Sequence, residues 1–151
     1  MSLILHGTTG ITFNDSSVQA GASVNTLAYT SGYFGGTGGG GGTVWYTQGD
    51  PSAVGSDVIA RAPVSRAGTL KNLRVSLGAA PGSSESVVFT VVINGSASAL
   101  TCTISNTDKV ASDLSHTPSA SAGDLISVKG VFSGSAAAPT NTGITWELEA
   151  S

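Results

Sequence analysis

From residue 57 onward, apolar and polar positions tend to alternate. Near the C-terminus Ile144, Trp146 and Leu148 alternate with Thr145, Glu147 and Glu149. Leu73, Val75 and Leu77 alternate with Asn72, Arg74 and Ser76, and Leu100, Cys102 and Ile104 with Thr101, Thr103 and Ser105. Successive side chains on a strand point to opposite faces, so each segment reads as a strand with one greasy face and one wet face. The pattern predicts strands at 58–62, 69–77, 86–94, 97–105, 109–114, 125–132 and 143–149, and no segment carries a helical period. Asn94-Gly95 is a hairpin signal, because both residues tolerate the positive φ that a two-residue turn needs. Pro81-Gly82 and Ala122-Gly123-Asp124 mark further turns, and a turn is also expected at Gly68, flanked by Arg66 and Lys71. Short strands at this spacing predict an all-β fold, a jelly-roll-like antiparallel β-sandwich. Val87, Phe89, Val91, Ile93, Ile126, Val128, Phe132, Ile144, Trp146 and Leu148 suffice for one core at about 1.5–3 kcal/mol per buried side chain.

Two pieces precede this domain of residues 57–151. Residues 1–30 form a short extension with strand-like pieces at 3–6 and 11–13, and Asn14-Asp15-Ser16 is a turn signal. So short a piece cannot bury much by itself and needs a partner surface. Residues 31–56 are glycine-rich, with a run at 38–42. Ordering a glycine costs more backbone entropy than ordering any other residue, which favours a flexible linker. The flanking aromatics Tyr29, Tyr33, Phe34, Trp45 and Tyr46 favour instead a packed loop in which missing side chains let backbones approach. No Gly-Lys-Ser/Thr ending follows the run, so it is not a phosphate loop.

Composition narrows the partners. The chain has 151 residues, enough for one domain with its own core. Its hydrophobic fraction is 40%, but only 10% of residues are charged, against about 25% in a typical soluble domain. Such a surface is solvated by hydroxyls and amides, has an extracellular-type composition, or is covered by other subunits, because sparse charge protects poorly against self-association. The net charge is −3, and the six cations are Arg61, Arg66, Lys71, Arg74, Lys109 and Lys129. Nucleic acid is therefore not an expected partner. No apolar run approaches the roughly 20 residues of a membrane helix, so no membrane partner is expected. Met1 to His6 lack the basic start and long apolar run of a secretory signal. Release by cell lysis would satisfy that constraint.

Little here points to catalysis, and neither a catalytic residue, a metal nor another cofactor is expected. The available general bases are His6, in the extension, and His116, in an apparent turn. Glu147 and Glu149 lie two apart on the wet face of the last strand, where a solvated pair is expected. Asn106-Thr107-Asp108 has oxygens suited to Ca²⁺ but no following acidic loop, and reads as a hydrogen-bonded turn. Cys102, the one cysteine, excludes an internal disulfide and sits on an apolar strand face, where it behaves as a small hydrophobe. Tyr33, Phe34, Trp45 and Tyr46 could stack on sugars if exposed, though aromatics more often fill a core or interface.

The stretch Ile11-Thr12-Phe13-Asn14-Asp15-Ser16-Ser17-Val18-Gln19 resembles a short element of bacteriophage fibre and appendage proteins, with Asn14 and Ser16 replacing the usual proline and glycine. Three further stretches, 68–75, 88–95 and 122–128, are similar in pattern to the tumour-necrosis-factor and complement-head type of jelly roll found in phage virion proteins. The resemblance implies a virion structural role, homotrimerisation and release by lysis. The expectation is a capsid decoration or cement protein on the virion surface, bound to major capsid or tail proteins. The alternative is a tail-fibre or spike tip that recognises a host-surface glycan. Residues 1–30 would act as a clasp, and the expected contact residues are Leu3, Ile4, Ile11, Phe13, Val18, Tyr33, Phe34, Trp45 and Tyr46.

Overall fold

The computed structural model describes residues 4–6, 10–12, 18–19 and 26–34 through their backbone, and residues 41–46, 53–137 and 141–150. A small antiparallel sheet is formed by β1 (Ile4–His6), β2 (Gly10–Thr12) and β3 (Val18–Gln19), in that order. Next along the chain come β4 (Thr26–Phe34), β5 (Thr43–Tyr46) and β6 (Ala53–Val54). A single helical turn, α1 (Asp57–Ala60), leads into β7 (Ala62–Pro63). The remaining strands are β8 (Gly68–Leu77), β9 (Ser86–Ile93), β10 (Ser96–Ser105), β11 (Val110–Asp113), β12 (Ser119–Ala120), β13 (Leu125–Phe132) and β14 (Asn141–Ala150).

These strands make two antiparallel sheets. One runs β10-β9-β13-β5-β6, with β7 continuing the β5 side of β13; the other runs β11-β8-β14-β4, with β12 continuing the β11 side of β8. Taking β4, β5, β8, β9, β10, β11 with β12, β13 and β14 as the principal strands, the first pairs with the last and the third with the sixth in one sheet. The second pairs with the seventh and the fourth with the fifth in the other. A long antiparallel ribbon wound into two sheets gives this order, which is the jelly roll. The β9–β10 hairpin is the tip of the ribbon. Its turn has Asn94 at φ 51° and Gly95 at φ 84°, the pair of positive angles that the dipeptide predicts.

Between the sheets lies one core. Leu70, Leu73, Val75, Leu77, Ile144, Trp146 and Leu148 come from one sheet. Val44, Tyr46, Val87, Phe89, Val91, Leu100, Cys102, Ile104, Ile126, Val128 and Phe132 come from the other. Ile93 is only partly buried at the sheet's end. The alternation breaks once in β8, where Leu70 and Leu73 are both buried three positions apart. The register explains it: Arg74 opposes Thr145 and Lys71 opposes Glu147, so Asn72 and Leu73 together face Trp146. This bulge puts Asn72 at φ 56°, a left-handed conformation that Asn tolerates.

Three expectations change. The jelly roll begins at β4, not at residue 57, because Thr26–Phe34 pairs along β14 and β5 pairs with β13. The span 31–56 therefore contributes β5, β6 and the end of β4 to the sheets, while its residues 35–40 and 47–52 lie outside the described residues. The strand expected at 58–62 is α1 followed by β7. Asp57 anchors that turn on β13, accepting a hydrogen bond from Ser127 Oγ at 2.6 Å, and pairs with Arg61 one turn on. Ala60 is thereby fully buried, while Val58 and Ile59 stay 73% and 68% exposed. Finally, Gly68 does not make a turn: it begins β8, where a Cβ would lie 2.3 Å from the Glu149 carbonyl oxygen.

Candidate contact surfaces and side-chain clusters

The residues expected to make contacts fall in three places. Leu3 and Phe13 lie outside the described residues, while Ile4, Ile11 and Val18 sit one on each strand of the small sheet. Tyr33 and Phe34 occupy β4, opposite Thr142 and Asn141 of β14. Trp45 and Tyr46 belong to β5, in the other sheet. The aromatics on the two sides of the glycine run are thus divided between the two sheets. Tyr46 is a correction to the expected contact set: it is 4% exposed and packs on Phe89 at a ring-centroid distance of 5.9 Å. Trp45 points the other way by the strand alternation and is half-buried, with Lys129 Nζ 5.9 Å from its ring centroid.

His116 belongs to the most heavily hydrogen-bonded group among the described residues. Asp113, the last residue of β11, is 7% exposed. Its Oδ2 accepts from the Thr101 N–H at 3.0 Å and pairs with His116 Nδ1 at 2.8 Å. Its Oδ1 accepts from the Ser115 N–H at 3.1 Å, Ser115 Oγ at 3.0 Å and the His116 N–H at 3.2 Å. Burial pushes the Asp113 carboxyl up, but the backbone N–H groups of Thr101 and Ser115, with the His116 side chain and N–H, outweigh it. They hold the carboxyl well below its ordinary range. Although a Ser, His and Asp are together, Ser115 Oγ bonds the carboxylate and lies 3.5 Å from Nδ1, the nitrogen already turned to Asp113. A base that activates a nucleophile needs its other nitrogen on the hydroxyl. The cluster instead ties edge strand β10 of one sheet to β11 of the other.

Other polar side chains are also taken up structurally. Lys71 Nζ pairs with Glu149 Oε2 at 2.6 Å, and Asn72 Nδ2 donates to Glu147 Oε2 at 2.9 Å, so each glutamate has its own partner on β8. Asn106, at φ 56°, accepts from the Ser84 N–H, and the Asp108 N–H reaches back to the Ser105 carbonyl, as expected for a hydrogen-bonded turn. Asp57 is held below its ordinary range: burial opposes this, but hydrogen bonds from Arg61 and Ser127 and the charges of Arg61 and Lys129 prevail. Burial and the nearby Asp113 charge push the Cys102 thiol up to about 11. Among the described residues no three His, Cys, Asp or Glu side chains lie together as a metal would require, and no helix is long and apolar enough to cross a membrane.

One feature went unread in the sequence. On the outer face of the β11-β8-β14 sheet a groove of about 460 Å³ is lined by Arg74, Ser76, Val110, Ser112, Gly143 and Thr145, with Val75 and Ala111 beneath. The alternation marks Arg74 and Ser76 as outward, but nothing along the chain says that β8 lies between β11 and β14. The sequence matches no known family model, and no curated protein matches it significantly.

Proposed function

We propose that this chain is a structural component of a bacteriophage particle: a homotrimeric jelly-roll protein that decorates the outer capsid surface, binds major capsid or tail proteins and has no reactive centre of its own. The observation that carries the reading is the jelly-roll winding, an architecture recurrent in viral capsid and lectin domains. Its surface suits assembly. Outward strand positions such as Thr43, Thr101, Thr103 and Val131 carry no charge. Sparse charge leaves little to oppose subunit contact. Val58, Ile59 and Leu114 add apolar area that a partner would bury, at about 1.5–3 kcal/mol each if fully covered. In this scheme the small sheet carrying Ile4, Ile11 and Val18 is the clasp, and the protein leaves the host on lysis.

Counting copies of the chain per purified particle tests the location. Hundreds of copies fit decoration, a few dozen or fewer fit a tail or vertex appendage, and none refutes a virion role. Deleting residues 1–20 spares every strand of the sandwich. The truncated protein should fold and fail to bind particles, and retained binding would remove the clasp. Trp45, half-buried on an outward face, favours a second reading as a fibre or spike tip that recognises a host glycan. Glycan-array binding that disappears in Trp45→Ala would promote that reading over decoration.

A further inference from the structure

Among the described residues, the lining of the groove on the outer face of the β11-β8-β14 sheet forms two rungs of three. Ser112, Arg74 and Thr145 form one rung, and Val110, Ser76 and Gly143 form the next. Directly paired residues point to the same side of an antiparallel sheet, so the two rungs share one face. Gly143 has no side chain, and Ser76 Oγ lies over it, 2.8 Å from where a Cβ would stand. Two strand spacings by one two-residue repeat give a footprint of about 10 Å by 7 Å. That accommodates one sugar ring with its substituents.

The chemistry of the lining selects further. Arg61 and Lys71 are paired with Asp57 and Glu149, and Lys129 lies over Trp45. Arg74 makes no hydrogen bond or ion pair among the described residues. Its planar guanidinium offers donors only, in a fork that matches a carboxylate. Ser76, Ser112 and Thr145 each add a hydroxyl able to donate and accept, which is what ring hydroxyls require. Val110, 69% exposed, supplies an apolar wall for the C–H face of a ring. The volume lies within the about 300–1,000 Å³ of small-molecule sites. We infer that this groove binds an acidic monosaccharide unit, its carboxylate on Arg74 and its hydroxyls on Ser76, Ser112 and Thr145. The inference goes beyond the assembly role and does not depend on it.

Ligand-observed NMR on the full chain tests this with N-acetylneuraminic acid and glucuronic acid as acidic probes, glucose as the neutral probe and inorganic phosphate as the bare anion. At least one acidic sugar should bind saturably at millimolar concentration, and glucose about tenfold more weakly. Binding of the acid should weaken as salt rises. Arg74→Gln changes an exposed side chain and should weaken the acidic sugar about tenfold or more. Arg66→Gln removes an exposed cation outside the groove and should leave it unchanged. Any of three results overturns the proposal: no saturable binding of either acidic sugar, equal binding by the Arg74→Gln variant, or phosphate binding as tightly as the sugars. A second copy seated on this face, detected as concentration-dependent hydrogen-exchange protection of β8, β11 and β14 with no sugar binding, overturns it as well.

Discussion

Asp113 offers the sharpest test of how the two sheets are held at the β10–β11 edge. Replacing it with Asn keeps the shape and removes the charge. Three of the five partners of the two carboxylate oxygens are backbone N–H groups, which can only donate: Thr101 at one oxygen, Ser115 and His116 at the other; the Ser115 hydroxyl and His116 Nδ1 can donate or accept. Whichever way the amide turns, its NH2 faces at least one backbone N–H, so at least one hydrogen bond is lost and the others pass from a charged to a neutral acceptor. Hydrogen bonds to charged groups contribute about 1.5–3 kcal/mol each, and a buried N–H left without an acceptor costs about 1–3 kcal/mol, so Asp113→Asn should cost about 2–4 kcal/mol. That is a large share of the about 5–15 kcal/mol that holds an ordinary domain together. It should lower Tm by roughly 10 °C for a chain of this length. Urea denaturation followed by tryptophan fluorescence at neutral pH measures it. The pH dependence supplies the control. Asp113 has a folded-state pKa below its ordinary value of 3.8. The folded state therefore binds the proton less readily than the unfolded chain. The carboxylate's contribution is fully present above 3.8 and is lost as pH falls towards and through the folded value. The gap between wild type and Asp113→Asn should be widest at neutral pH and close in acid. His116→Ala removes one exposed partner and leaves Thr101 and Ser115 in place, so its cost should be the smaller one. A neutral-pH cost for Asp113→Asn under about 1 kcal/mol, or a gap that does not narrow in acid, would refute the clamp.

Three further outcomes follow from single sites. Thr142 Oγ1 is buried with no hydrogen-bond partner among the described residues, so Thr142→Val, similar in shape, should stabilise by about 1 kcal/mol, read as a higher urea midpoint. Gly68→Ala drives a Cβ to within 2.3 Å of the Glu149 carbonyl oxygen, so β8 and β14 must separate; a loss of about 2–4 kcal/mol is expected, and an unchanged Tm would contradict this register. Cys102 is 6% exposed and its thiol is pushed up to about 11, so Ellman's reagent should label it only after unfolding; fast labelling of the native protein at mildly alkaline pH would contradict its burial.

Much of the sandwich is legible along the chain because strand side chains obey a two-residue period set by covalent geometry. The strand calculated from alternation at 125–132 matches β13 at both ends, and the Asn94-Gly95 turn adopts the conformation its residue types favour. The extent of the domain is not legible in the same way. Thr26–Phe34 has Gly32 and several small residues, yet it is a full strand because β14 offers it a hydrogen-bonding edge. Val58 and Ile59 favour a strand by type, but the Asp57 bond to Ser127, seventy residues away in the chain, holds the segment as a helical turn.

Local order and side-chain polarity are written residue by residue, so the sequence by itself determined the all-β class, most strands from β8 onward, the core face and the turns. Only the tertiary structure decided that Tyr46 turns into the core, that Asp113 is a cross-sheet clamp, and that Arg74, Ser112 and Thr145 meet across one rung of a groove. Each of those depends on which strands become neighbours. Hydrogen-bonded pairing is set by how the whole ribbon winds, and no local period carries that information.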